Sequence, residues 1–404
     1  MKACGLIVEY NPFHNGHVYH LEQSKQETQA DVMVAVMSGS FLQRGEPAII
    51  DKFHRAKAAL TSGVDILLEL PYVYAVQYAD LFAKGAMLQL DGLNVDDVCF
   101  GSEEGNIEPF LEGYDHYLQE KSLYQSTLHK YLDDGLSFPQ ASKKAYESIN
   151  LTQGEIDLSQ PNNILGFSYV KAVKELKSSI NPRTIRRTKS GYHDPKIEHE
   201  IASATSIRNE ILTSQEMTRN AINALPQSTT DQLLAYQQKS GSWHSWESYF
   251  PYLQLIVHTR SVEELSQIHG VIEGLEYRLK QTVQEAENFE QWMHLLKTKR
   301  YTWTRLQRMF AHILTNTTKN EVNEFDQLEQ APYLRILGMT DNGRNYIKSI
   351  KKDLEIPIFS NLQEHQHDML NIEERATNAY YAPIPTPKRK QLKKQELTGP
   401  IKLF

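Results

Sequence analysis

The chain has 404 residues, 40% hydrophobic and 23% charged, with a formal net charge of −7. That composition fits a globular protein of two domains or three, and no apolar run approaches the roughly 20 residues of a membrane span. Cys4 and Cys99 cannot build a disulfide framework and the N-terminus carries no apolar leader, so the expected location is a reducing cytoplasm.

In chain order, the apolar run Cys4–Val8 predicts a first strand. It is followed by Glu9-Tyr-Asn-Pro-Phe-His-Asn-Gly-His17 and then by a helix over His17–Lys25. Further strands are expected at Val32–Met37, Ile66–Leu70, Val98–Phe100 and Thr184–Arg187, and helices at Phe53–Ser62, Ala79–Leu90, Asn163–Leu176 and Ser206–Thr213. Strands that are apolar throughout are buried on both faces. Their alternation with helices predicts an α/β fold, a Rossmann-like, doubly wound parallel sheet. Such sheets bind ligands at the carboxyl ends of their strands, where His14, Gly39, Gly101 and Arg187 fall. Residues 107–160 read as a polar helical insertion or cover. After about residue 215 helical spacing takes over, at Val262–Leu279, Thr282–Lys297 and Trp303–Leu314. Residues 354–361 and 380–387, punctuated by proline, are expected to be irregular. The expected division is a catalytic domain over 1–215 and a mostly helical domain over 216–404 with a basic tail.

A strand ending in a turn that carries His14-Asn-Gly-His17 is suited to a nucleoside triphosphate. Gly16 removes a side chain that would block backbone approach. A helix starting there would aim free backbone N–H groups and its dipole at the same place as the two imidazoles. A metal site would need a third and a fourth ligand at workable spacing, so no protein metal site is expected. Ser203-Ala-Thr-Ser-Ile-Arg208 opens a late helix and offers hydroxyls and a guanidinium to phosphate oxygens. Simple N-capping is the alternative for any one hydroxyl. Gly101 is either a turn glycine or a surface for adenine or ribose. One of Asn162 and Asn163 caps a helix while the other reads the nucleotide. Of Arg186 and Arg187, alternation along a strand favours Arg187. Gln43, Arg44 and Lys52 lie in a loop flanked by Gly39 and Gly45 and would bring cations to the phosphates or to a nucleic acid, unless they are ordinary surface charge.

The negative net charge argues against a nucleic-acid partner, but the charge is uneven. Residues 381–404 carry +5, leaving −12 on the rest of the chain. Residues 291–308 hold Lys297, Lys299, Arg300, Arg305 and Arg308 without an acid, interleaved with Trp292, Tyr301 and Trp303. Cations among aromatics suit RNA phosphates and stacked bases, although a solvated helix face with buried aromatics has the same pattern.

The motif pair His-x-Gly-His and Ser-x-Thr-Ser-x-Arg, about 190 residues apart in a Rossmann-like pattern, resembles the HIGH-type nucleotidyltransferase superfamily. Glu9–His17, Met37-Ser-Gly-Ser-Phe-Leu-Gln-Arg-Gly-Glu-Pro47, Phe100-Gly-Ser-Glu103, Pro161-Asn-Asn-Ile-Leu-Gly166 and Tyr192-His-Asp194 are similar to the tRNA(Met) cytidine acetate ligase family. The similarity continues at Lys299–Arg305 and Leu334–Gly338. The one departure is Ala204, where the wider superfamily commonly has a serine.

The resemblance implies a two-step reaction. Acetate attacks the α-phosphorus of ATP, giving acetyl-adenylate and pyrophosphate, with Mg²⁺ expected on the phosphates. The wobble cytidine of elongator tRNA(Met) then takes the acetyl group on its exocyclic amine. His14, His17 and Arg208 are the expected catalytic residues. ATP is expected on Ile7, Val8, Glu9, Tyr10, Asn11, Pro12, Phe13, His14, Asn15, Gly16, His17, His20, Gly101, Asn162, Asn163, Arg186, Arg187, Ser203, Thr205 and Ser206. The tRNA is expected on Arg44, Lys297, Lys299, Arg300, Arg305 and Arg308. No membrane or DNA partner is expected, and composition leaves the oligomeric state open. The rival readings are a small-molecule adenylyltransferase acting on a nicotinamide or pantetheine phosphate, and a non-catalytic RNA-binding protein.

Overall fold

The computed structural model describes residues 1–153, 156–187 and 202–403. Five parallel strands form the first part of the sheet: β1 (Ala3–Val8), β2 (Val32–Ser38), β3 (Ile66–Leu70), β4 (Asp97–Ser102) and β5 (Asn181–Arg186). Their order across the sheet is β5-β4-β1-β2-β3. The connecting helices include α1 (Asn15–Thr28), α2 (Lys52–Thr61), α3 (Ala79–Gly92), α4 (Pro161–Glu175) and α5 (Ala204–Ser214). Between β4 and α4 the cover over 107–160 contains helices Glu108–Gln119, Lys121–Asp133 and Phe138–Ser148. Strand order reverses between β1 and β4, and a crevice at the carboxyl ends of strands opens at such a point.

Alternation in β2 shows why the sheet is central. Val32, Val34 and Val36 face one hydrophobic layer, while Met33, Ala35 and Met37 face the other, and all are fully buried. β-branched side chains on a strand enclosed on both faces give the near-continuous apolar run that the sequence displays. The first layer continues through the C-terminal half as far as Leu392.

The C-terminal half is mostly helical, and it also contributes strands that the sequence did not announce. Leu334–Thr340 is a strand, β6, antiparallel to β3, and its far edge is shared by β7 (Ile358–Phe359) and β8 (Ile401–Leu403). Arg335 interrupts the apolar pattern of β6 and hides it from sequence. The guanidinium is fully buried because two distant carboxylates meet it: Glu69 Oε2 and Glu396 Oε2, each at 2.5 Å. Lys52 Nζ completes the cluster, 2.6 Å from Glu69 Oε1 and 3.0 Å from Glu396 Oε1. Lys52 is therefore a buried structural cation and not a loop residue near phosphates.

Two expected helices are shorter than predicted. Val262–Leu279 breaks into Val262–Ser266 and Leu275–Thr282, separated by Gly270 and Gly274 in the left-handed region. Within Thr282–Lys297 the helix begins only at Phe289, where the Asn288 side chain caps it. α6 (Trp303–Thr315) agrees with its expectation. Within 380–387 only residues 382–385 are irregular, since α7 (Asp368–Tyr381) runs into the segment and α8 (Thr386–Lys393) begins in it. Pro387 sits in the first turn of α8, where a missing N–H costs nothing. The basic tail is thus ordered and latched by Glu396.

Removing one carboxylate from a buried charge cluster leaves cations uncompensated. Glu396→Ala should lower unfolding free energy by about 3–5 kcal/mol, read from urea denaturation. Cutting the chain before Lys394 should have a comparable effect.

Candidate active site

The β1–α1 turn holds the two histidines by backbone hydrogen bonds. Tyr10 takes a left-handed conformation (φ 48°) and turns the chain directly after β1. His14 is the N-cap of α1, and its Nδ1 accepts the Gly16 N–H at 3.1 Å. His17 lies one turn on, and its Nδ1 accepts the His14 N–H at 3.2 Å. The result is a capping box built from imidazoles, with the rings stacked at 3.8 Å.

This geometry sets the chemistry. A neutral imidazole whose Nδ1 accepts carries its proton on Nε2. Burial, then the Arg187 and Arg208 cations, push His14 down to about 3. Burial, then His14, His20 and Arg187, hold His17 well below its usual value, and burial with Arg187 pushes His20 down to about 4. Both HIGH-type histidines are therefore neutral Nε2–H donors, and neither Nε2 has a hydrogen-bond partner among the described residues.

The expectation of free helix N–H groups is corrected. The Asn15 N–H donates to Ala224 O (3.1 Å), the Gly16 N–H to His14 and the His17 N–H to His14 O (2.8 Å). The Asn15 side chain also reaches Asn223 O at 3.0 Å. What the turn presents is two ring N–H groups. Near them, His20 Nε2, Tyr10 Oη and Asn11 Nδ2 are buried with no hydrogen-bond partner among the described residues. Ile7 and Val8 end β1, while Pro12 and the buried Phe13 complete the turn, with the Phe13 ring against Tyr10.

The late motif arrives at the same place. Arg208, on the first turns of α5, donates to Asn11 O (2.8 Å) and to Glu46 Oε2 (2.7 Å). Its hydroxyls divide between roles. Ser203 Oγ caps α5 by accepting the Ser206 N–H at 3.1 Å, and Ser206 Oγ donates to Ser203 O at 2.9 Å. Thr205 is exposed.

The other crevice residues resolve as follows. Neither asparagine caps α4, because the N-cap is Gln160. Asn163 is buried and spends its amide on the Glu103 N–H (3.3 Å) and Ile156 O (2.9 Å). Asn162 is partly exposed and donates to Glu103 Oε1 at 2.8 Å. Gly101 lies inside β4 rather than after it, and a Cβ there would stand 2.9 Å from Arg187 Cγ, so Arg187 lies across it. Arg186 ends β5 with an exposed side chain. Tyr192-His-Asp194 lies outside the described residues.

The family model for HIGH Nucleotidyl Transferase matches residues 1–396. A relative from Oceanobacillus iheyensis, named tRNA(Met) cytidine acetate ligase, is 52% identical over 99% of this chain and 100% of its own. One of the same name from Bacillus subtilis is 45% identical over 98% of this chain and 96% of its own.

The chain belongs to the tRNA(Met) cytidine acetate ligase family.

Two crystal structures of Thermotoga maritima TmcAL, one apo and one bound with alpha-thio ATP, are similar in fold. Each is 32% identical over 100% of both chains, with a TM-score of 0.90.

Sequence reasoning missed two residues that shape this family's crevice here. Arg55 is fully buried on α2 and donates to Glu9 O (2.6 Å), Ser38 O (3.0 Å) and Gly39 O, tying the carboxyl ends of β1 and β2 together. Glu46 holds Arg208. A charged residue on the apolar face of α2 was the available signal for Arg55; Glu46 falls within the Met37–Pro47 stretch that resembles the family, but nothing there pointed to Arg208 as its partner. Glu9, burial raising its pKa, accepts the Gln43 N–H at 2.7 Å and so anchors the turn after β2.

The cation patch is gathered only in part. Arg308 donates to Gln43 O at 3.4 Å, and burial together with Arg305 and Arg44 pushes its pKa down to about 10. Those three guanidiniums share one neighbourhood. Arg305 stacks on Tyr301 at 4.8 Å and faces Glu273 at 3.8 Å, while Arg300 pairs with Glu273 at 2.8 Å. Lys297 and Lys299 are exposed. Trp292 is a core residue and offers no stacking face.

The depressed histidines predict acid lability. His14, His17, His20, His244, His269 and His312 all hold protons less well in the folded state. Their stabilisation is complete above the unfolded value of about 6.5. It falls as pH drops below that, by about 1.4 kcal/mol per pH unit for each. Glu9 and Glu373, both raised by burial and the latter to about 8, act with the opposite sign but are two groups against six. Urea midpoints should therefore decline between about pH 6.5 and 5. A flat profile would contradict the buried neutral assignment.

Proposed function

We propose that this chain is an ATP-dependent ligase that activates acetate as acetyl-adenylate and transfers the acetyl group to the wobble cytidine of elongator tRNA(Met), forming N4-acetylcytidine. The observation that carries the reading is the convergence of two neutral Nε2–H donors and Arg208 at the strand-order reversal, beside buried polar atoms that lack partners among the described residues. Family membership and an ATP-analogue complex of a similar protein support it.

In this reading the imidazole N–H groups meet the non-bridging oxygens of the α-phosphate, where charge builds as the carboxylate attacks in line. Neutral donors suit this role because they bond to the oxygens without giving up a proton. Arg208 balances the charge of the leaving pyrophosphate, while Asn162, Arg187 and the backbone beside Gly101 border the nucleoside. Among the described residues no group of three or more His, Cys, Asp or Glu is placed to hold a metal ion. Mg²⁺, expected with the phosphates, would offset charge on the leaving pyrophosphate. Residues 216–404, together with Arg44 from the turn after β2, supply the RNA face, with Arg44, Arg305 and Arg308 as its centre and Lys297, Lys299 and Arg300 beside it. The target base must leave its stack to reach the crevice.

His14→Ala or His17→Ala should each cut acetate-dependent ATP–pyrophosphate exchange about 100-fold, as loss of one oxyanion-hole donor does. Binding of tRNA(Met), followed by fluorescence anisotropy, should stay nearly unchanged. Arg305→Ala should weaken tRNA binding and flatten its salt dependence by about one unit of slope, while exchange continues. Exchange driven by a phosphomonoester instead of acetate would overturn the proposal in favour of a small-molecule adenylyltransferase.

A further inference from the structure

The segment Ser40–Pro47 stands between the imidazole pair and α6. It is a closed turn: Phe41 and Pro47 pair as an isolated bridge, the Leu42 N–H donates to Glu46 O (2.9 Å) and the Gly45 N–H to Leu42 O (2.8 Å). One side is pinned to the crevice by Glu9, which accepts the Gln43 N–H at 2.7 Å. The Gln43 side chain donates to Gln77 O at 3.0 Å. The other side rests on α6. Gly45 has φ +87°, and a Cβ there would lie 2.3 Å from the Arg308 backbone nitrogen. Only glycine fits both the angle and the gap.

A turn fixed on both sides presents Glu46 at a defined point, and there its Oε2 meets Arg208 Nη2 at 2.7 Å. The second arm of the guanidinium is held by Asn11 O at 2.8 Å. Arginine is long and rotamer-rich, so an unrestrained Arg208 would sample many positions away from the imidazoles. Held at two points by groups from different strands' loops, it has one.

We propose that Glu46 is a positioning residue that holds the Arg208 guanidinium beside His14 and His17, ready for the phosphates of a nucleoside triphosphate. The inference rests on the reading that this crevice takes such a ligand. The opposite role is also physically possible: a carboxylate beside Arg208 would offset its charge and repel phosphate. The two roles differ in sign. A positioner makes binding tighter, and a neutraliser makes it weaker.

Titration calorimetry with α,β-methylene ATP reads that sign. Glu46→Ala should weaken nucleotide binding about tenfold, as expected for losing a charge-assisted contact. Glu46→Gln keeps an acceptor and should recover most of the loss. In an Arg208→Ala background, Glu46→Ala should change binding by less than about twofold, because the pair acts as one unit. Unchanged circular dichroism and melting temperature would show that the variants fold. Binding by Glu46→Ala equal to or tighter than wild type, or additive losses in the double variant, would overturn the proposal. Wild type that binds the nucleotide but shows no acetate-dependent exchange would overturn the ligase reading and leave this inference standing. Wild type that binds no nucleotide would overturn both.

Discussion

Everything at the crevice depends on two hydrogen bonds from backbone N–H groups to imidazole nitrogens. The Gly16 N–H points at His14 Nδ1, and the His14 N–H points at His17 Nδ1. Each bond satisfies a donor that a helix N-terminus would otherwise leave orphaned, and each also fixes a tautomer. Capping and chemistry are thus one interaction. A serine or aspartate would cap α1 as well, but it would leave no ring N–H to offer. Burial and the nearby arginines complete the arrangement by keeping the rings neutral, so they donate without carrying net charge into a site that Arg208 already makes positive.

The supports of that unit come from the whole chain. Arg55 ties the ends of β1 and β2. Asn223 and Ala224 receive the Asn15 donors, and Glu46 reaches across to Arg208. Further out, the Lys52–Glu69–Arg335–Glu396 cluster joins β3, β6 and the C-terminal segment beneath the same sheet. Two cations and two carboxylates balance there, with Glu373 nearby held largely in its neutral form by burial. The C-terminal segment is therefore part of what shapes the sheet that carries the crevice. The turn after β2 is the direct link between the two functional faces, since Gln43 touches both Glu9 and Arg308.

Local patterns were legible in the sequence, and long-range ones were not. Strands β1 to β4 announced themselves because burial on both faces leaves a mainly apolar run, whereas β5, at the sheet edge, is half exposed and has no such run. The His14–His17 turn was legible because its chemistry lies within four residues. Arg208 was legible through its motif, although its partners were not. β6 went unread because Arg335 breaks its pattern, and the charges that make Arg335 tolerable stand 266 and 61 residues away. Lys52 was misread for the same reason: a lysine in a polar loop and a lysine in a buried cluster look alike until Glu69 and Glu396 are in place. Asn162 and Asn163 could not be separated by sequence, because only the fold shows that one amide turns inward to Ile156 while the other meets Glu103 at the crevice.

The central claim is a protonation state, so it is best tested by observing the rings themselves. Nitrogen-15 NMR of histidine-labelled protein, assigned through His14→Gln and His17→Gln, reports tautomer and charge directly. The account predicts that both rings carry the proton on Nε2 and stay neutral as pH falls from about 7.5 to 5. Rings protonated on Nδ1, or ordinary titration near pH 6.5, would contradict it.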